Sequence, residues 1–221
     1  MIASWPSPSG EEYALAFDRG RQHRLLVLPA LFDEANKTRH LVVEVMRRLD
    51  GAAIDSFLPD LPGCNESLAP LEAQTLESWR TAASAAAAHF SATHILTVRA
   101  GALLAPPELP GWRYAPIGGP SVLRALLRAR TISSREAGHS ETIDELTELG
   151  RANGIELAGY RVDAAMFSEL QAAEAPDTGE QREIDQGTIG GGRLWLRAEP
   201  GFDESQADAL AAVIAMELAH G

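Results

Sequence analysis

The chain has 221 residues, 45% of them hydrophobic, which suits one α/β domain with a sizeable core and room for a small inserted cap. Its formal net charge of −12 speaks against a nucleic-acid partner and disfavours anionic lipid, since both require a cationic surface. A single cysteine, Cys64, excludes an intramolecular disulfide and a cysteine-based metal cluster, and no apolar run approaches the ~20 residues that span a bilayer.

Met1 to Gly10 is polar, with one tryptophan and two prolines, and lacks the basic and apolar regions of a signal peptide. A cytoplasmic setting is therefore expected, and the Ala-rich, Lys-poor composition resembles that of a GC-rich bacterium. Tyr13–Phe17 reads as an edge strand, and Arg24–Pro29, apolar after its first residue, as a strand covered on both faces. Residues 32–39 read as a polar loop at that strand's C-terminal end, or alternatively as a charged helix start. Leu41, Val42, Val45, Met46 and Leu49 then recur at helical spacing, ending at Asp50-Gly51.

Ala53–Asp60 predicts the next strand and residues 61–67 a turn-rich loop. Residues 71–90 predict a helix rich in alanine, and His94–Val98 a short buried strand. Arg99-Ala100-Gly101 forms a tight small-residue turn, with a second apolar run, a helix, beyond it. After a proline-rich connector, Tyr114–Ile117 reads as a strand. Gly118-Gly119-Pro120 opens a helix whose apolar face is Val122, Leu123, Leu126 and Leu127. Helices are expected near 141–152 and 163–173, with Ile155–Tyr160 between them, and a polar loop over 174–187. Gly190-Gly191-Gly192 leads to a predicted last strand, Arg193–Ala198. A final helix starts near Asp203, with Gln206 completing a capping box and Ala207, Leu210, Ala211, Ile214 and Leu218 as its buried stripe.

Strands alternating with helices indicate a mostly parallel central sheet with helices on both faces, here with a helical insert over roughly 118–175. Ligands in such sheets sit at the C-terminal strand ends, so the loops at 32–39, 61–67 and 99–101 should converge on one site.

Three features resemble the α/β-hydrolases. The turn after 94–98 is placed like a G-x-S-x-G nucleophile elbow, with Arg99 at its apex. Asp60–Ser67 is similar to the D-x-x-G-x-G-x-S loop of that superfamily. Pro29–His40, with its Asn36-Lys37-Thr38-Arg39 run, resembles the corresponding segment of the exosortase A system-associated hydrolases of the hydrolase 2 type. Ser121–Arg130 and Glu156–Tyr160 resemble the same group in the same order. The resemblance covers roughly 24–165. It implies one α/β-hydrolase-like domain over 1–221, in a bacterium that makes exopolysaccharide and sorts proteins through an exosortase.

The elbow carries no nucleophile, because arginine is permanently protonated. Arg99 is either structural, tied to carboxylates such as Glu34 or Asp60, or an anion-binding group at a helix N-terminus. The candidate ligand-binding residues are Asn36, Lys37, Arg39 and Arg99, converging on a small anionic or acyl ligand, and no catalytic residue is assigned. His139 and His220 read as surface histidines. Ser121 reads as a helix-start residue, and Cys64 as a packing residue in a loop near the site. His23, His40, His89 and His94 lack metal-ligand spacing, and Gly190–Gly192 lacks the features of a phosphate loop. The arginines at 124, 128, 130 and 135 read as a solvated helix face or the lining of an anionic pocket. No metal and no cofactor are expected, and self-association is left open.

Two functions follow. One is a catalytically degenerate member acting as a binding or accessory protein. The other is a hydrolase of an ester or thioester with an unconventional nucleophile. A purely structural dimer partner, a third class, would have its pocket at Arg99 filled in.

Overall fold

The fold comes from a computed structural model and is described for residues 1–176 and 179–220. The chain opens with a hairpin of β1 (Ile2–Ser7) and β2 (Gly10–Phe17), followed by β3 (Arg24–Leu28), α1 (Asp33–Gly51) and β4 (Asp55–Pro59). Then come α2 (Leu76–His89), β5 (His94–Val98) and β6 (Gly111–Tyr114). Between β6 and the last strand lie α3 (Gly119–Glu136), α4 (Ile143–Asn153), a hairpin of β7 (Ile155–Leu157) and β8 (Tyr160–Val162), and α5 (Ala164–Ala172). β9 (Gln181–Ile184), the short α6 (Gln186–Ile189) and α7 (Glu204–His220) complete the chain.

Seven strands form one sheet in the order β1-β2-β4-β3-β5-β6-β9. β1 and β2 pair antiparallel, β2 joins β4 antiparallel, and every later pairing is parallel. The period-2 alternation of a strand separates two cores. Leu26 and Leu28 of β3 and Ile95 of β5 face α2 and the α3–α5 segment, where Trp79 and Phe167 are buried. Leu25, Val27, Leu96 and Val98 face the opposite side, covered by α1 and α7. The expected stripe of α7 is buried there in full. No helix among the described residues is long and apolar enough to cross a membrane.

Several elements differ from the sequence expectation. Residues 33–39 are not a loop but the first two turns of α1. Asp33 and Glu34 sit where the helix dipole favours acids, and Lys37 pairs with Asp33 at 2.7 Å across one turn. Arg99 leads into a 3-10 segment, Arg99–Leu104, rather than an α-helix, because Pro106-Pro107 lies just beyond it. β1 was hidden by Pro6 and its two serines, which are poor strand formers. β6 begins earlier than expected, and its Gly111 is required by close packing: a Cβ there would lie 1.9 Å from the Ile95 carbonyl oxygen.

β9 falls inside the expected polar loop of 174–187, of which residues 177–178 lie outside the described residues. As the edge strand of the sheet, it exposes Arg182 and Glu183. Residues 193–198 do not form a strand. Leu194 and Trp195 are buried side by side, which a period-2 strand facing one core does not allow, and Leu194–Leu196 is a 3-10 turn. Asp203 accepts from the Gln206 amide, but the Gln206 side chain donates to Gly192 O at 2.7 Å, so only half of the capping box forms.

The N-terminal end of β4 is fixed by Asp55, which is fully buried. It accepts from the backbone N–H groups of Arg19 (3.1 Å) and Arg21 (2.8 Å) and from the Arg24 guanidinium (3.1 Å). Asp55→Ala removes the acceptor while leaving these donors in place. It is expected to lower unfolding stability by about 3 kcal/mol, measured by urea denaturation.

Candidate functional site

The C-terminal ends of β3 and β4 enclose a cavity of about 240 Å³. Its wall comprises the 29–32 segment after β3, Ala35 and Asn36 on the first turns of α1, and Leu61 with Gly63–Asn65 after β4. Leu71, Trp79 and Tyr160 close it from the other side. Phe32 packs edge-on against Tyr160 (5.4 Å between centroids) and tilted against Trp79 (5.7 Å). Trp79 is pinned by its indole N–H, which donates to Pro62 O at 2.9 Å. Asn36 Nδ2 donates to the Tyr160 hydroxyl at 3.2 Å, bridging α1 and the β7–β8 hairpin at the rim. Burial pushes the Tyr160 phenol above its ordinary value.

The candidate ligand residues do not all meet there. Asn36 lines the cavity, and Arg39, one turn further along α1, lies 3.7 Å from Asp60 beside the loop that follows β4. Lys37 projects from another face of α1 into its pair with Asp33. Arg99 sits away from the cavity lining. Its Nε and Nη2 donate to the two Glu34 carboxylate oxygens at 2.9 and 3.2 Å, and its Nη1 donates to Ala115 O at 2.8 Å. Its guanidinium also lies over the Trp195 ring at 4.1 Å.

The backbone at Arg99 is unusual for such a residue, with φ at +54°, a left-handed conformation. Two positions on, a Cβ at Gly101 would lie 2.4 Å from Pro29 O and 2.7 Å from Leu28 O, so the turn presses directly on β3. A strained apex residue and a close-packed glycine form the strand-to-helix elbow that presents a nucleophile in G-x-S-x-G turns. Thr97, two positions before the apex, is buried with its hydroxyl unpartnered.

Among solved structures, the chain is similar to alpha/beta hydrolase domain-containing protein 10 from mouse, with a TM-score of 0.57, 13% identity and coverage of 100% of this chain and 99% of that chain. It is also similar to the alpha/beta hydrolase GrgF from Penicillium sp. sh18, with a TM-score of 0.56, 11% identity and coverage of 99% and 96%. A mutant of DBJA gives a TM-score of 0.58, 12% identity and coverage of 100% and 98%. The chain has the α/β-hydrolase fold. At these identities the likeness concerns the fold, and no family model and no curated protein matches the sequence.

On this α/β-hydrolase scaffold, the remaining chemically notable side chains are already engaged or lie elsewhere. Ser67 Oγ donates to Glu12 at 2.8 Å and accepts from the Gly63 and Ala69 N–H groups. Ser121 stands in the first turn of α3, outside the cavity lining. His23 and His94 face each other at the N-terminal end of the sheet, and His40 stacks on Phe202. His89 ends α2, His139 lies beyond α3, and His220 Nδ1 contacts Met216 O on α7. Arg130 is paired with Glu141, while Arg124, Arg128 and Arg135 are exposed. Among the described residues, no cluster of three or more His, Cys, Asp or Glu is placed to hold a metal ion.

Sequence reasoning missed the aromatic wall of Phe32, Trp79 and Tyr160. It also missed Glu12, and it offered Asp60 as a partner of Arg99, whereas Arg99 pairs with Glu34 and Asp60 lies beside Arg39; both Glu12 and Asp60 are nearly inaccessible. Asn65 donates to Asp60 at 2.8 Å, while one Glu12 oxygen is buried without a partner. Burial first, and in the case of Glu12 the neighbouring Asp60, pushes both acids above their ordinary values, and the same surroundings push the Cys64 thiol up to about 12.

An acid whose folded pKa lies above its unfolded one holds more protons in the native state. Stability therefore falls as pH rises from the ordinary carboxylate range through the raised value. Glu12→Gln keeps an acceptor for Ser67 and removes one of the two charges. Urea titrations from pH 4 to pH 8 are expected to show a shallower decline in stability for this variant than for the parent.

Proposed function

We propose that this α/β-hydrolase-like protein binds a small molecule, or serves as an accessory protein, and has no acyl-transfer chemistry of its own. The observation that carries this reading is the elbow. Arg99 occupies the apex in the strained conformation that presents a nucleophile, and its guanidinium is held by Glu34, Ala115 and Trp195. Serine-hydrolase chemistry needs a base beside the apex, and the residue from beyond the last strand that faces Arg99 is Trp195, not histidine. Cys64, the thiol on the cavity wall, is held protonated and is thereby disarmed as a nucleophile.

In this reading Asn36 contacts the ligand and Arg39 guards the rim. Arg99 acts indirectly, tying α1 to the elbow through Glu34, while Lys37 is committed within α1 to Asp33. The resemblance of residues 29–40, 121–130 and 156–160 to the exosortase-associated hydrolases supports a bacterial, cytoplasmic role near exopolysaccharide metabolism.

Incubation with a fluorophosphonate, followed by intact-mass measurement, tests the central point. No adduct is expected on the parent protein, and none on Arg99→Ser, because restoring a hydroxyl supplies no base. An adduct on the parent that disappears in Ser67→Ala or Ser121→Ala would instead establish a hydrolase with an unconventional nucleophile.

A further inference from the structure

Among the described residues, no charged side chain lines the cavity. The nearby cations are already committed: Lys37 to Asp33, Arg39 to Asp60 and Arg99 to Glu34. Behind the Cys64–Asn65 wall stand the buried carboxylates of Glu12 and Asp60, with Asp60 accepting from Asn65 at 2.8 Å. An anion entering here would leave water for a chamber with no charged lining, and Arg39, the cation beside the loop after β4, already faces Asp60.

The polar groups at the rim are complementary to a different ligand. Asn36 Nδ2 donates to Tyr160 Oη, which leaves the phenolic O–H without a described acceptor of its own, and Asn36 Oδ1 is likewise uncommitted. The pair thus has one donor and one acceptor to offer at the rim of the cavity whose wall includes Phe32 and Trp79. A carboxamide presents the matching acceptor and donor. At about 240 Å³ the chamber lies just below the ~300–1,000 Å³ of drug-sized ligand pockets, so the ligand is small.

We infer that the cavity binds a small uncharged ligand carrying a carboxamide-like donor–acceptor pair, seated on Asn36 and Tyr160, and discriminates against carboxylates. This rests on the binding-protein reading above and gives it a ligand class. It also departs from the anionic ligand that the charges of residues 33–39 suggest in the sequence.

Benzamide and benzoate are near-isosteric and differ by one charge, so titrating each into the full-length ¹⁵N-labelled protein tests the inference. Benzamide is expected to give saturable shifts at the backbone amides of Asn36, Asn65 and Tyr160, with benzoate weaker by at least about tenfold. Asn36→Leu and Tyr160→Phe, both at the rim and so compatible with folding, are each expected to weaken benzamide by about two- to tenfold. Benzoate binding as tightly as benzamide, unchanged affinity in both variants, or no saturable shift at these positions would overturn the inference. Intact-mass measurement on the same samples after fluorophosphonate treatment separates the two readings. An adduct with the benzamide preference intact defeats only the absence of chemistry. A lost preference without an adduct defeats only the ligand class.

Discussion

Gly101 rests against the carbonyls of Leu28 and Pro29, which brings the turn after β5 into contact with the end of β3. That contact leaves no room for a Cβ, and the apex residue two positions earlier has a left-handed backbone. Arg99 emerges there and reaches Glu34 in the first turn of α1. Together with the buried face of Leu41, Val42, Val45, Met46 and Leu49, this pair fixes how α1 lies on the sheet. Asp33 and Lys37 fall on one side, Glu34 on the side of the elbow, and Ala35 and Asn36 on the wall of the cavity. The position of Asn36 opposite Tyr160, and hence the rim of the site, depends on a glycine and an ion pair that do not line the cavity.

Much of this architecture was legible in the sequence. Continuous apolar runs such as Leu25–Leu28 announce strands buried on both faces, and the stripe from Ala207 to Leu218 announces a helix against a sheet. The tight turn at 99–101 could be located because strand, small residues and apolar run follow one another directly. What escaped were elements whose stability comes from neighbours rather than composition. β9 has two charged residues out of four and is a strand because β6 offers it a ladder. β1 carries Pro6 and three polar or small neighbours, yet β2 pairs it along its full length.

The candidate site was harder to read for a related reason. Asn36, Lys37 and Arg39 are nearly adjacent in sequence, and as a loop they could converge on one ligand. As a helix they cannot, since successive residues turn by about 100°. The charges of Lys37 and Arg39 are also balanced, by Asp33 one turn earlier on the same helix and by Asp60 just after β4. The aromatic wall is drawn from Phe32, Trp79 and Tyr160, which lie far apart in the chain, and nothing in their local patterns distinguishes a cavity wall from an ordinary core.

Placing arginine at the elbow has consequences that extend around the site. A fixed positive charge at the centre of an α/β sheet must be neutralised, and Glu34 supplies the carboxylate from the first helix. The open face of the guanidinium then needs a partner that is not cationic. A histidine there would add a second positive charge whenever protonated, whereas the ring of Trp195 offers its negative face to the one already present. The arginine, the glutamate and the tryptophan therefore form one electrostatic unit. A serine at 99 would face an indole, and a histidine at 195 would face a guanidinium. The elbow keeps its left-handed backbone with β3 packed against it, while its side chain is tied to Glu34 on α1.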